Sequence, residues 1–135
     1  MQSIMINREI FEGIIRHARE EAPLECCGLL MGASETITHQ RKMVNMLQSQ
    51  NRYSMDPKAL FEFFRDLRSV QMRHLGIYHS HPVSEAYPSK TDVDESYYPD
   101  CTYFIISLKE VQSPSIRAFE LAHGSIQEKE LQIID

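Results

Sequence analysis

Basic residues are scarce in this 135-residue chain: 14 lysines and arginines face 19 aspartates and glutamates, the formal charge is -5, and no basic run occurs. A phosphate backbone would be repelled rather than gripped, so nucleic acid is not an expected partner. Long apolar stretches are missing too. None approaches the roughly 20 residues that cross a bilayer, and Met1 to Ile10 lacks a signal peptide's basic start and apolar middle. No membrane partner is expected, and the cytoplasm is the expected location. Cysteine is limited to Cys26, Cys27 and Cys101. An odd number at that spacing matches neither paired zinc knuckles nor a secreted disulfide framework, and buried thiols are the expectation. Five glycines and six prolines, with 42% hydrophobic and 24% charged residues, exclude fibrous and disordered classes. The length suits one domain over residues 1–135.

What is present is a series of short apolar patterns. Asn7 is placed to cap a helix whose apolar positions Ile10, Phe11, Ile14, Ile15 and Ala18 recur at helical spacing, with Pro23 marking its end. Glu25 to Gly32 reads as a strand, which sends Cys26 and Cys27 to opposite faces and puts Glu25 with Cys27, Leu29 and Met31. Glu35 to Met46 supplies one or two further strands. Asp56-Pro57 starts a helix lined by Leu60, Phe63, Phe64, Leu67 and Val70 and reaching about Arg73. Leu75 to Ser80 reads as a strand, Pro82 to Pro88 as a loop, and Ser89 to about Tyr98 as a brief helix. Strands follow at Thr102 to Leu108, near Ile116 to Ala122, and at Ser125 to Ile134. Strands interleaved with helices make an α/β domain, a mixed β-sheet with flanking helices.

The stretch with chemical content is Gly76-Ile77-Tyr78-His79-Ser80-His81-Pro82, followed by Pro88-Ser89-Lys90-Thr91-Asp92. Side chains alternate along a strand, so Leu75, Ile77, His79 and His81 share a face and two imidazoles project together at its end. Pro82 stops the ladder, and the loop returns to a helix start where Asp92 can swing a carboxylate toward both rings. Two nitrogens and one oxygen around a point leave a tetrahedral zinc's fourth position open, the arrangement of a catalytic site, although the donor set also suits other divalent ions. Ser89-x-x-Asp92 equally satisfies a capping-box pattern, and either histidine alone is a weak signal. The conjunction of all four residues within fourteen positions is what favours a metal. A (β/α)8 hydrolase would need about 250 residues. A metallo-β-lactamase-like HxHxDH run is absent because Pro82, Val83 and Ser84 follow His81, and HExxH is absent.

His79-x-His81, seven residues, Ser89, two residues and Asp92 resemble the JAMM or MPN+ metallopeptidase motif, and Leu24-Glu25-Cys26-Cys27-Gly28-Leu29-Leu30-Met31-Gly32 resembles the family's early-strand glutamate segment. The resemblance extends from Glu25 through at least Leu108. It implies a cytidine-deaminase-like α/β fold, one catalytic zinc on His79, His81 and Asp92, proton handling by Glu25, and stabilisation of the tetrahedral intermediate by Ser89. In physical terms, a glutamate beside a zinc-activated water can take its proton and return it to a leaving amine. His17, His39, His74 and His123 lack comparable neighbours and are expected at the surface. Tyr97 and Tyr98 are expected to pack into the core, with a cover over the site as the alternative, and Asp94 and Glu95 to lie on a solvated helix face.

The short chain is most similar to the small prokaryotic members, including the peptidases that cleave cysteine from the C-terminus of a ubiquitin-like sulfur carrier. The resemblance implies a carrier partner ending in Gly-Gly, with an isopeptidase acting on lysine-linked modifiers as the alternative. Only glycine lacks the Cβ that a narrow tunnel would reject. Met43 to Met55 is expected to form part of an exposed strand edge that receives the tail. A non-catalytic MPN scaffold is the competing class, disfavoured because every metal-motif residue is present, and a homodimer is compatible with these residues.

Overall fold

Residues 2–135 are described by a computed structural model. The chain opens with a strand, β1 (Ser3–Asn7), absent from the expectations above; it runs straight into helix α1 (Arg8–Glu21). Ile4 and Ile6 alternate inward along it and are fully buried. Asn7 occupies the N-cap position of α1, but its side chain makes no capping bond. Strands β2 (Cys27–Ala33) and β3 (Thr36–Met43) form an antiparallel pair, helix α2 (Pro57–Leu67) follows a loop, and β4 (Arg73–His81) pairs with β2. Helix α3 (Lys90–Asp94) and strands β5 (Thr102–Ser107), β6 (Ser115–Glu120) and β7 (Gln127–Ile134) complete the chain.

The mixed sheet closes on itself in the order β1-β3-β2-β4-β5-β6-β7, with β7 parallel to β1. Two apolar layers occupy its two sides. On the α1 side lie Ile4, Ile6, Ile14, Ala18, Leu30 and Phe104; on the α2 side lie Leu29, Phe63, Ile77, Tyr103 and Ile105. Each fully buried isoleucine, leucine or phenylalanine among them contributes about 1.5–3 kcal/mol relative to exposure. Cys26 and Cys27 fall into different layers, as alternation requires, and all three cysteines are free and buried. Gly28 is needed where Tyr78 crosses it on β4, because a Cβ there would enter the Tyr78 ring.

Four expectations are corrected. Leu75 does not share the face of Ile77, His79 and His81: the pairing of β2 with β4 passes from Gly76 to His74, and the extra residue sends Leu75 into the α1-side layer. Helix α2 stops at Leu67, not near Arg73. Its last apolar anchor is Leu67, Val70 is exposed, and the Ser69 hydroxyl donates to the Asp66 carbonyl in the closing turn. Helix α3 ends at Asp94, where the Ser96 hydroxyl donates to the carbonyls of Val93 and Leu121. The segment after β3, expected to form an exposed strand edge, is a loop from Val44 to Asp56. Among the described residues no helix is long and apolar enough to cross a membrane.

Candidate active site

Strand β4 ends between antiparallel β2 and parallel β5, and its last residues carry the two imidazoles into one place. Register sets this up: Cys27 lies across from His79, so Glu25, two residues before the paired stretch, continues the ladder toward His81. The Ser80 side chain, on the opposite face, accepts from the Cys26 N–H at 2.8 Å and locks that alignment. The Leu108 N–H donates to the His81 carbonyl, and the Ser107 hydroxyl donates to the Ser84 carbonyl, tying the loop after Pro82 to the end of β5. That loop delivers Ser89 and Asp92.

His79 Nε2, His81 Nε2 and the Asp92 carboxylate converge. The two nitrogens are 3.2 Å apart; Asp92 Oδ1 is 3.2 Å from His79 Nε2, and Oδ2 is 3.1 Å from His81 Nε2. Three tetrahedral ligands at about 2.0–2.1 Å from a zinc-sized ion stand roughly 3.3–3.4 Å from one another, close to this spacing. Two imidazole nitrogens aimed at each other and at a carboxylate form a donor set that a shared divalent cation satisfies. The site therefore fits a metal, and it is the one such cluster among the described residues.

Each of the three side chains is held from behind. Nδ1 of His81 pairs with the Glu85 carbonyl at 2.8 Å, the kind of outer hydrogen bond that fixes a ligating ring. His79 Nδ1 is buried without a partner, and its ring is instead stacked on Tyr53, centroids 4.7 Å apart. Asp92 does two jobs at once. Its Oδ2 accepts from the Ser89 N–H at 2.9 Å while the Ser89 hydroxyl accepts from the Asp92 N–H, a complete capping box. Burial alone would raise the Asp92 carboxyl; the hydrogen bonds from His79 and His81 outweigh it and hold the group well below the usual carboxylate range. For His81, burial lowers the pKa, but the Asp92 carboxylate and Glu85 carbonyl more than compensate and raise it.

Glu25 is buried, with Oε1 lacking a hydrogen-bond partner. Burial pushes its carboxyl up to about 8; His81 opposes the shift and Asp92 adds to it. The residue behind it is Asn45, which spacing in the sequence did not single out. Its buried amide donates to the carbonyls of Glu25 (3.1 Å) and Arg52 (3.0 Å), and its oxygen accepts from the N–H groups of Leu47 (3.1 Å) and Ser54 (3.2 Å). One side chain thus joins the backbone of Glu25 to the loop that carries Tyr53. A lone asparagine in a polar stretch gives no periodic signal. Tyr53 is equally silent, because its partner is 26 positions away.

The other histidines divide. His39 and His123 are exposed as expected. His17 is buried, its Nδ1 2.7 Å from the Tyr78 hydroxyl, which also accepts from Gln40. His74 is half-buried against Phe63, Phe64 and Tyr98, and burial pulls its pKa down to about 4. Both depart from the surface expectation because aromatic or hydroxyl partners distant in sequence enclose them. Tyr97 is exposed rather than packed in the core, and Glu95 is half-buried in an ion pair with Arg52.

The profile of prokaryotic homologs of the JAB domain matches residues 7–122. A CysO-cysteine peptidase of Mycobacterium tuberculosis is 28% identical over 134 residues, covering 98% of this chain and 92% of that protein. A desampylase of Haloferax volcanii is 34% identical over 103 residues, covering 71% of this chain and 74% of its own. The solution structure of DSY2949 from Desulfitobacterium hafniense superposes with a TM-score of 0.89 at 32% identity, over 98% of this chain and 93% of that one. The chain belongs to the prokaryotic JAB-domain family, the small JAMM/MPN+ type, and is a hydrolytic enzyme of that type.

Proposed function

We propose that the chain hydrolyses the amide bond after the C-terminal Gly-Gly of a ubiquitin-like sulfur-carrier protein, releasing cysteine or a similar adduct. The observation that carries this reading is the convergence of His79 Nε2, His81 Nε2 and the Asp92 carboxylate at the end of β4, with the buried carboxyl of Glu25 on the segment leading into β2. In this reading His79, His81 and Asp92 hold one zinc ion. Such an ion, when bound, lowers the pKa of a coordinated water toward about 7 and polarises the scissile carbonyl.

Glu25 takes the proton of the attacking water and returns it to the departing amine. Its carboxyl is buried with Oε1 unengaged, so that oxygen is open to hydrogen-bond the attacking water and then the departing amine. The Ser89 hydroxyl already accepts from the Asp92 N–H, so its own hydrogen is free to donate to the carbonyl oxygen as negative charge develops there. Asn45 keeps the Glu25 backbone in register with the loop beside the site.

The likeness to a CysO-cysteine peptidase, nearly end to end, supports a carrier-cysteine substrate. The likeness to a desampylase supports a second reading, an isopeptidase that removes a ubiquitin-like modifier from lysine. Incubation with carrier-cysteine and carrier-lysine conjugates, with the released amine identified by mass, separates the two. Wild type is expected to release cysteine from a Gly-Gly-Cys terminus, and Glu25→Gln to retain zinc without turnover. Full turnover by Glu25→Gln would remove the proton-transfer role.

A further inference from the structure

Beside His79 lies a cavity of about 290 Å³, walled by Tyr53, Met55, Leu60, Ile77 and Tyr103. Its described lining contains none of His79, His81 and Asp92, but two of its walls adjoin them: Tyr53 stacks on the His79 ring, and Ile77 precedes His79 on the same face of β4. Its size is at the small end of ligand sites, enough for one amino acid rather than a folded partner. Among the described residues of its lining two are charged, Arg52 and Glu95. They bridge the Val44 to Asp56 loop and the end of α3 through a single contact, Arg52 Nη2 to Glu95 Oε1 at 2.7 Å.

We propose that this cavity receives the leaving amino acid, Arg52 binding its α-carboxylate and Glu95 the ammonium released by hydrolysis; this rests on the carrier-peptidase reading and names the group that fixes its specificity. A guanidinium offers five donors in a planar fork, and only one contact is engaged here, so Arg52 can take a second carboxylate without surrendering Glu95. The Arg52 backbone is anchored by the bond from Asn45 to its carbonyl, while its side chain is half exposed and free to reorient. Glu95 likewise keeps Oε2 unengaged.

The charges match the reaction. A carrier amide to a free amino acid brings one negative charge, the α-carboxylate, one carbon from the scissile nitrogen. Hydrolysis breaks the C–N bond, adds the elements of water, and leaves a carboxylate on the carrier glycine and an ammonium on the released amino acid. That product is a zwitterion, and the cavity presents one partner for each of its charges. An isopeptide to lysine carries no charge near its scissile nitrogen and would leave the pair without a role.

The test compares two conjugates of a Gly-Gly carrier with cysteine, one with a free C-terminal carboxylate and one with a carboxamide, cleaved by zinc-loaded wild type and Arg52→Gln. Wild type is expected to favour the acid by roughly tenfold in kcat/KM, as for loss of one charge-assisted hydrogen bond. The preference is expected to appear mainly in KM and to fall to near one in Arg52→Gln, with the unfolding midpoint unchanged because Arg52 is exposed. Equal cleavage of acid and amide by wild type, or a preference that survives Arg52→Gln, overturns the assignment alone. Cleavage of neither conjugate by wild type overturns the carrier-peptidase reading and the assignment with it.

Discussion

Asn45 is where stability and turnover should fail together. Truncation to alanine deletes four hydrogen bonds and strands two carbonyls, those of Glu25 and Arg52, and two N–H groups, those of Leu47 and Ser54. A net bond is worth about 1 kcal/mol and a stranded buried partner about 1–3 kcal/mol. The loop side is partly open, so water can serve the Leu47, Arg52 and Ser54 groups; the Glu25 carbonyl, in a buried contact, pays most fully. The expected loss is about 2–4 kcal/mol in urea denaturation. Asn45→Asp is the sharper variant. It is isosteric and keeps the two accepted bonds, but sets a second oxygen 3.0–3.1 Å from two carbonyl oxygens in place of two donated hydrogens. It should therefore match or exceed the alanine loss despite conserving shape. Both variants should lower kcat/KM, through kcat where Glu25 is displaced and through KM where Arg52 is. If Asn45→Asp unfolds within about 0.5 kcal/mol of wild type and turns over normally, the amide does not hold the loop to the site as described.

Ser89→Ala removes a helix cap worth about 1 kcal/mol and, if the hydroxyl serves the developing oxyanion, costs on the order of 10²-fold in kcat; loss of stability without loss of kcat would leave only the cap. His79→Ala and Asp92→Asn are each expected to abolish stoichiometric zinc on metal analysis, and a chelator should abolish turnover, restored by zinc. Acid should destabilise the protein through His74. Its pKa is about 4 folded against 6.5 for an unperturbed histidine, because burial disfavours the cation. Its stabilising contribution is thus complete above 6.5 and is lost as pH falls toward 4, by up to about 3 kcal/mol. Denaturation at pH 7 and pH 4.5 should show a smaller difference in His74→Gln than in wild type; equal differences would exclude His74 as the source.

The convergence of His79, His81 and Asp92 was legible because its parts are local. His79 and His81 need only an extended backbone to face the same way, and Ser89 and Asp92 need only one helical turn. Glu25 was legible through its early-strand setting, and the register of β2 against β4 brings it toward the same end of the strand. What escaped depends on long-range partners. Strand β1 is five residues long, and its inward Ile4 and Ile6 acquire meaning only beside β3, about 30 positions on, and β7, more than 120 positions later. The barrel closure follows from that pairing and leaves no mark in periodicity. The bulge at Leu75 shifts one residue against a partner strand, which alternation along a single strand cannot register. His17 and His74 looked like surface residues because their enclosing groups, Tyr78 for one and Phe63, Phe64 and Tyr98 for the other, are remote in the chain.

The shared duty of Asp92 bears on how such domains decay. A descendant that lost its chemistry would still need this carboxylate to begin α3, so selection for folding alone would preserve it. His81 would likewise retain its bond to the Glu85 carbonyl, and His79 its stacking on Tyr53. An intact serine–aspartate pair is therefore by itself poor testimony that an enzyme still works.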